Sequence, residues 1–353
     1  MMLKPTGCFS ILGVCALLTL TACETPPPPG LPAFEVEAVL ETAAVAGEGD
    51  AADDPAIWVA ADPADSLILG TDKRSGLYAY RLDGAIAQYI PAGRINNVDI
   101  RYGFQAGDRT VDIAVASDRT NIALAFFFID PMSGAIEVPA PAGWSLYFDD
   151  PYGVCLYQNP ATGELDAFVT EDDTGRLSQL RLSYENGAMR AEEVRAFSLG
   201  TITEGCAVDD RTGLLYIAEE NVGVWRYSVD PATGEAREAF AAVDGQALVA
   251  DAEGVAILPQ GETGGLLFVS SQGDSAYAVF DLQTGAFIDR FRIAEGATDN
   301  VTETDGIELS PAPLGETFPR GVFVAQDDVE DTGGQNFKFV DLGQILDGLP
   351  ARE

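Results

Sequence analysis

Histidine is missing from all 353 residues, and basic residues are scarce: 20 Lys+Arg stand against 56 Asp+Glu, for a formal net charge of −36 at pH 7. Each absence removes a chemistry. Without imidazole there is no histidine-dependent phosphatase, no Ser-His-Asp or Cys-His nucleophile pair, and no His-ligated zinc or iron. Too few cations remain to neutralise a phosphate backbone, which argues against nucleic acid as a partner. Yet 47% of the residues are hydrophobic, so the chain is no disordered acidic polymer and can bury a large core. The carboxylates must be carried by solvent, salt or bound cations. Calcium, which accepts many oxygen ligands in flexible geometry, is the natural candidate.

Long apolar runs are also few. The one at the start, Phe9 to Leu20, follows a lone charge, Lys4, and is too short for a permanent membrane span, which is the layout of a signal peptide. It closes on Leu20-Thr21-Ala22-Cys23, which resembles a bacterial lipoprotein box. The plainer alternative is an ordinary signal peptide that happens to carry a cysteine. On the lipoprotein reading residues 1–22 are removed and Cys23 carries the lipid. Residues 23–33, with Pro26 to Pro29, then form a stiff spacer, and the protein is exported and anchored in the bacterial cell envelope, at the outer membrane or cell surface. Of five cysteines, Cys8 and Cys15 leave with the leader. Cys155 and Cys206 remain, either as a disulfide or as two small buried thiols.

Repeats indicate the architecture. At intervals of about 44 to 54 residues a short polar or acidic cluster leads into an apolar run, the period of propeller blades. The six clusters are Asp53-Asp54-Pro55-Ala56-Ile57-Trp58, Asn96-Asn97-Val98-Asp99-Ile100, Asp149-Asp150-Pro151-Tyr152-Gly153-Val154, Thr203-Glu204-Gly205-Cys206-Ala207-Val208, Asp251-Ala252-Glu253-Gly254-Val255-Ala256 and Thr304-Asp305-Gly306-Ile307-Glu308-Leu309. A second apolar run with a polar end follows each, as in Leu215-Tyr216-Ile217-Ala218-Glu219-Glu220. Alternating segments and turns such as Asp230-Pro231-Ala232-Thr233-Gly234 come next. Helical periodicity is nearly absent. The pattern predicts an all-β, six-bladed β-propeller over residues 34–353, closed by an N-terminal strand, Phe34 to Thr42, in the last blade with Asn336 to Asp341.

In a propeller the start of each inner strand faces the central axis. That places Asp53, Asp54, Asn97, Asp99, Asp150, Glu204, Asp251, Glu253, Glu303 and Asp305 at one mouth of the channel, joined by Glu219, Glu220 and Asp327 from the second strands. So many carboxylates cannot stay ionised side by side unaided, and several calcium ions would answer the problem. Any one of them alone reads more simply as a solvated turn residue or strand cap; their recurrence at equivalent places is what favours a site.

The strings Asp53-Asp54-Pro55-Ala56-Ile57-Trp58, Asn96-Asn97-Val98-Asp99-Ile100-Arg101-Tyr102, Tyr216-Ile217-Ala218-Glu219-Glu220, Ser270-Ser271-Gln272-Gly273-Asp274-Ser275 and Phe323-Val324-Ala325-Gln326-Asp327, with Gln335-Asn336-Phe337-Lys338, resemble the β-propeller phytases, also called alkaline phytases. The resemblance runs in order over nearly all of the chain after Phe34. It implies a calcium-dependent, 3-phytase-type phosphoric monoester hydrolase acting on phytate, myo-inositol hexakisphosphate, or its calcium complex. A metal-bound water would attack phosphorus directly, without a covalent phosphoenzyme. It further implies catalytic roles for Tyr152, Glu204, Glu219, Glu253 and Asp305, with calcium held by these acids and by Asp54, Asn97, Asp99, Glu303 and Asp327, to which the channel-mouth reading adds Glu220 and Asp251.

The same resemblance implies an adjacent basic subsite for a second phosphate, built from Lys73, Arg74 and Arg119, which on their own would pass for surface charges. One departure stands out: where the family usually carries a lysine after Val169-Thr170, this chain reads Glu171-Asp172-Asp173-Thr174-Gly175-Arg176. The expected protein is thus a monomeric, lipid-anchored phytase whose only membrane contact is the lipid. Two other readings remain open, a different metal-dependent propeller hydrolase and a noncatalytic, calcium-stabilised binding lipoprotein.

Overall fold

The computed structural model describes residues 30–140, 146–330 and 333–351. The leader, Cys23 and Pro26 to Pro29 lie outside the described residues. Among those described, no helix is long and apolar enough to cross a membrane.

Six antiparallel sheets follow one another along the chain, each entered by its inner strand: Ala52–Trp58, Ile95–Ala106, Pro151–Gln158, Thr203–Asp209, Ala252–Gln260 and Ile307–Ser310. We number the blades 1 to 6 in that order. Each inner strand packs against the next, and that of blade 6 against that of blade 1, so the ring closes as the six-bladed β-propeller the repeats predict. Second strands lie sandwiched between neighbouring blades. Leu67–Asp72, Leu165–Glu171 and Val322–Asp327 are therefore buried at every residue, whereas the outer strands Ile86–Pro91 and Arg237–Ala242 are largely exposed. The apolar cores sit between blades, as where Trp58, Leu69, Ile100 and Phe127 bring blades 1 and 2 together.

The N-terminal segment closes the last blade, but through fewer residues than expected. Leu40–Glu41 pairs antiparallel with Asn336–Asp341 in blade 6, Leu40 opposite Phe339. Phe34–Glu37 instead runs parallel to Phe287–Ala294 as a fifth strand of blade 5. Packing explains the split. Phe34 meets Phe291 at 5.9 Å between ring centroids, and Val36 and Ala38 enter the core shared by blades 5 and 6. One short segment thus covers two open edges.

Every inner strand of blades 1 to 5 begins with a β-bulge that opposes two residues to one on the second strand. Ala52 faces Asp72 and the next pair is Pro55 with Gly70; the same skip recurs after Ile95, Pro151, Thr203 and Ala252. The bulged pairs are Asp53-Asp54, Asn96-Asn97, Tyr152-Gly153, Glu204-Gly205 and Glu253-Gly254. Asp305-Gly306 occupies the corresponding place in blade 6, with Gly254 N–H donating to the Asp305 carbonyl at 2.8 Å and Gly306 N–H to that of Asp53 at 3.0 Å. Glycine is demanded by the close approach of adjacent blades: a Cβ on Gly153 would lie 2.0 Å from the Glu204 carbonyl oxygen, and one on Gly205 2.1 Å from that of Glu253.

Cys155 and Cys206 are joined in a disulfide, with Cα atoms 5.8 Å apart, which settles the open choice in favour of pairing. It ties the inner strands of blades 3 and 4 just beyond their bulges. The bridge closes a loop with a sequence separation of 51, so its reduction should lower unfolding free energy by about 3–4 kcal/mol. Denaturant unfolding with and without reductant checks this; coincident curves would contradict it.

Candidate active site

The bulges aim their first residues inward, and this positions the acids. Glu204 and Glu253 come from adjacent inner strands, and Glu220 follows the second strand of blade 4. All three are buried, with carboxylate oxygens within 4.8 Å of one another. Asn96, at the same bulge position in blade 2, donates from Nδ2 to Glu204 Oε1 at 2.6 Å. Glu253 Oε2 has no hydrogen-bond partner among the described residues. In front of these groups opens a cavity of ≈ 330 Å³ whose walls include Lys73, Tyr152, Asp172, Asp251, Glu303 and Asp305.

Burial and mutual repulsion govern the protonation of the cluster. Glu204 and Glu253 are pushed well above the usual carboxylate range, first by loss of solvation and then by neighbouring acids. Burial, with Asp251, Asp172 and Asp305 nearby, moves Glu220 up to about 7. Asp53 also rises to about 7 through burial, although Lys73 pulls it down. The Tyr152 phenol is held protonated far above its ordinary value, chiefly by the Glu204 carboxylate beside it.

Lys73 and Arg119 bring the positive charge. Lys73 Nζ lies 2.6 Å from Asp50, 2.9 Å from Asp53 and 3.0 Å from Asp305. Arg119 stacks over the Tyr152 ring, 5.2 Å from its centroid, and bonds Asp150, Asp172 and Asn96. Arg74 lies apart, its Nε donating to the Asp50 carbonyl.

The remaining acids named from the sequence fall in three other places. Asp54, Asn97 and Asp99 line a smaller cavity of ≈ 160 Å³ inside the channel, with Arg101 and Glu308. There Asp54 Oδ2 accepts from the Val98 N–H at 2.9 Å, Asp99 is fixed by Arg101, and burial carries Glu308 up to about 8. Glu219 is buried below the mouth, accepting from Thr201 Oγ1 at 2.5 Å and Trp225 Nε1 at 2.7 Å, so its neighbour Glu220 is the one in the three-carboxylate group. Asp327 lies 3.4 Å from the fully buried ammonium of Lys338, which also meets Glu41 at 2.6 Å, Asp299 at 2.5 Å and Glu330 at 2.9 Å. That clasp fastens the N-terminal segment to blade 6.

Reading the sequence alone overlooked Asn96, Asp50, Asp172 and Gln272, whose Nε2 donates to Asp305 at 2.7 Å. For Asn96 a signal existed: aligning the six turns on their bulges sets it level with Tyr152, Glu204 and Glu253.

A dense set of hard oxygen donors, one of them a buried oxygen lacking a partner, fits a divalent cation of the calcium type. Comparison with known proteins agrees with the motifs. A family model described as Phytase matches residues 12–352. The chain belongs to the phytase family. A 3-phytase of Bacillus subtilis (strain 168) is 36% identical over 328 residues, covering 90% of this chain and 86% of that phytase. Two solved structures share the fold: luciferin-regenerating enzyme, with TM-score 0.52, 14% identity and coverage of 87% of this chain and 95% of its own, and the PQQ-bound aldose sugar dehydrogenase of Streptomyces coelicolor, with TM-score 0.50, 13% identity and coverage of 90% and 99%. At such identity they speak for the propeller and not for the phytase site.

The raised acids fix the sign of the pH response. Between the ordinary values of 3.8 to 4.5 and the shifted values of about 7 for Asp53 and Glu220 and about 8 for Glu308, the folded state holds more protons than the unfolded one. Stability of cation-free protein should therefore fall as pH rises from about 5 to 8, and calcium should restore it most at the alkaline end. Thermal unfolding in chelator and in calcium at both pH values tests this; a metal-free melting temperature that rises with pH would contradict it.

Proposed function

We propose that this phytase-family chain is a calcium-dependent phosphomonoesterase that releases phosphate from phytate by direct attack of water. The carrying observation is the trio Glu204, Glu220 and Glu253, buried within 4.8 Å of one another, with Glu220 and Glu253 at the wall of the cavity. With Asp251, Glu303 and Asp305 these residues would hold the cations. Bound there, calcium supplies the charge that offsets both the carboxylates and the substrate phosphate, and it acidifies coordinated water.

The protein's own groups do the rest. Tyr152, kept protonated by Glu204, donates its one phenolic hydrogen bond to that carboxylate, and would turn this donor to a phosphate oxygen when a cation takes up Glu204. Lys73, clamped between Asp53 and Asp305, keeps those acids in place and adds a point charge at the wall. No serine, threonine or cysteine is among the residues that line the cavity, and the chain has no histidine, which argues against a phosphoenzyme on any of those side chains. The leader and Cys23 support export and lipid anchoring in the bacterial cell envelope. A strongly acidic surface, which repels its own copies, supports a monomer.

Phosphate release from phytate at neutral to mildly alkaline pH should be full in calcium and lost in excess chelator. Full activity in chelator, or none in calcium, would overturn the proposal. Glu204→Gln should lower kcat by about a hundredfold or more while leaving the far-ultraviolet circular dichroism unchanged. Separately, Cys23→Ser should move the expressed protein from the membrane fraction to the soluble one; retention in the membrane would contradict lipid anchoring.

A further inference from the structure

Arg119 is a cation set beside a cavity meant for a polyanion, yet its donors are already engaged. Nε and Nη2 grip Asp150 side-on at 2.8 and 2.5 Å, Nη1 donates to Asn96 Oδ1 at 3.2 Å, and Nη2 donates again to Asp172 Oδ2 at 2.9 Å. The two aspartates play different parts. Asp150 makes the two-point contact that orients the guanidinium plane over Tyr152. Asp172 makes one contact, lines the cavity wall, and so stands between the guanidinium and any anion arriving there. It is also fixed in place, its backbone N–H donating to the Asp150 carbonyl at 3.0 Å and its own carbonyl accepting from Thr174 N–H at 2.8 Å.

We propose that Asp172 is a specificity-determining residue: an internal counter-ion for Arg119 that a second substrate phosphate must displace, so that it weakens the grip on densely phosphorylated inositols. The inference rests on the phytase reading above and concerns the same cavity. A phosphate held through cations on Glu204, Glu220 and Glu253 would not itself need Arg119. A neighbouring phosphate on the same ring, reaching toward Tyr152, does, and it meets the Asp172 carboxylate first. Repulsion between that carboxylate and the incoming phosphate adds to the loss of the Arg119 contact. The expected result is a handicap greater for substrates with adjacent phosphates than for monoesters, felt more in KM than in kcat, because Glu204, Glu220 and Glu253, which would hold the cations, are unchanged.

The test compares wild type with Asp172→Asn and Asp172→Ala on two substrates, phytate and the monoester p-nitrophenyl phosphate, in calcium. Both variants should lower KM for phytate by roughly two- to tenfold, and by a clearly larger factor than KM for the monoester. Alanine serves as the second variant because an asparagine carbonyl can still accept from Arg119. In an Arg119→Ala background the gain from Asp172→Ala should disappear, which separates action through the guanidinium from a general change in cavity charge. A raised KM for phytate, an equal improvement on the monoester, or a gain that persists without Arg119 would overturn the proposal. If wild type releases no phosphate from phytate, the function proposed above fails. If it does and KM stays put in the variants, only the role of Asp172 fails.

Discussion

Placing three glutamates inside a protein within 4.8 Å of one another is the unfavourable act around which this molecule is arranged. Desolvation and repulsion both oppose it, so the surroundings have to hold the side chains where they would not settle by themselves. The bulges turn Glu204 and Glu253 inward, glycines let neighbouring blades approach to carbonyl contact, and the disulfide fastens the strand that carries Glu204 to the inner strand of blade 3. Protons or cations must then complete the balance. Such a set of buried carboxylates fits a divalent cation.

The same electrostatic logic separates the carboxylates by duty. Several are ion-paired to a fixed cation that holds them in place: Asp53 and Asp305 with Lys73, Asp150 with Arg119, Asp327 with Lys338. Glu204, Glu220 and Glu253, which form no ion pair among the described residues, are left to share whatever further positive charge solution provides. An acid excess that looks uniform in the composition is thus sorted into paired and unpaired groups by a handful of basic side chains.

How far the sequence could be read follows from which features are local. The sixfold repeat was legible because every blade must bury its second strand between neighbours, which writes an apolar run at a regular interval. The turn acids were legible as a group for the same reason. Which of Glu219 and Glu220 faces the mouth was not, because adjacent strand residues point to opposite sides and only the pairing with Thr203 and Gly223 decides. Asn96 was passed over in favour of Asn97 because a bulge shifts the facing residue by one, and a bulge leaves no mark on composition. Phe34 to Thr42 alternates equally well for one partner as for two, so the division between blades 5 and 6 depends on Phe34 meeting Phe291, a contact between distant parts of the chain.

That division has a temporal side. Glu41 finds Lys338 at a separation of 297 residues, and Phe34 finds Phe291 across a similar span. Whatever order the blades form in, the propeller's first two strands are among the last to find their place, waiting until most of the later blades exist. Until then blade 5 shows an uncovered outer edge, and blade 6 lacks its fourth strand. Contacts of such separation are slow to form and leave strand edges open to foreign pairing meanwhile. The seam that makes the finished ring continuous is therefore also the interval of greatest exposure during its assembly.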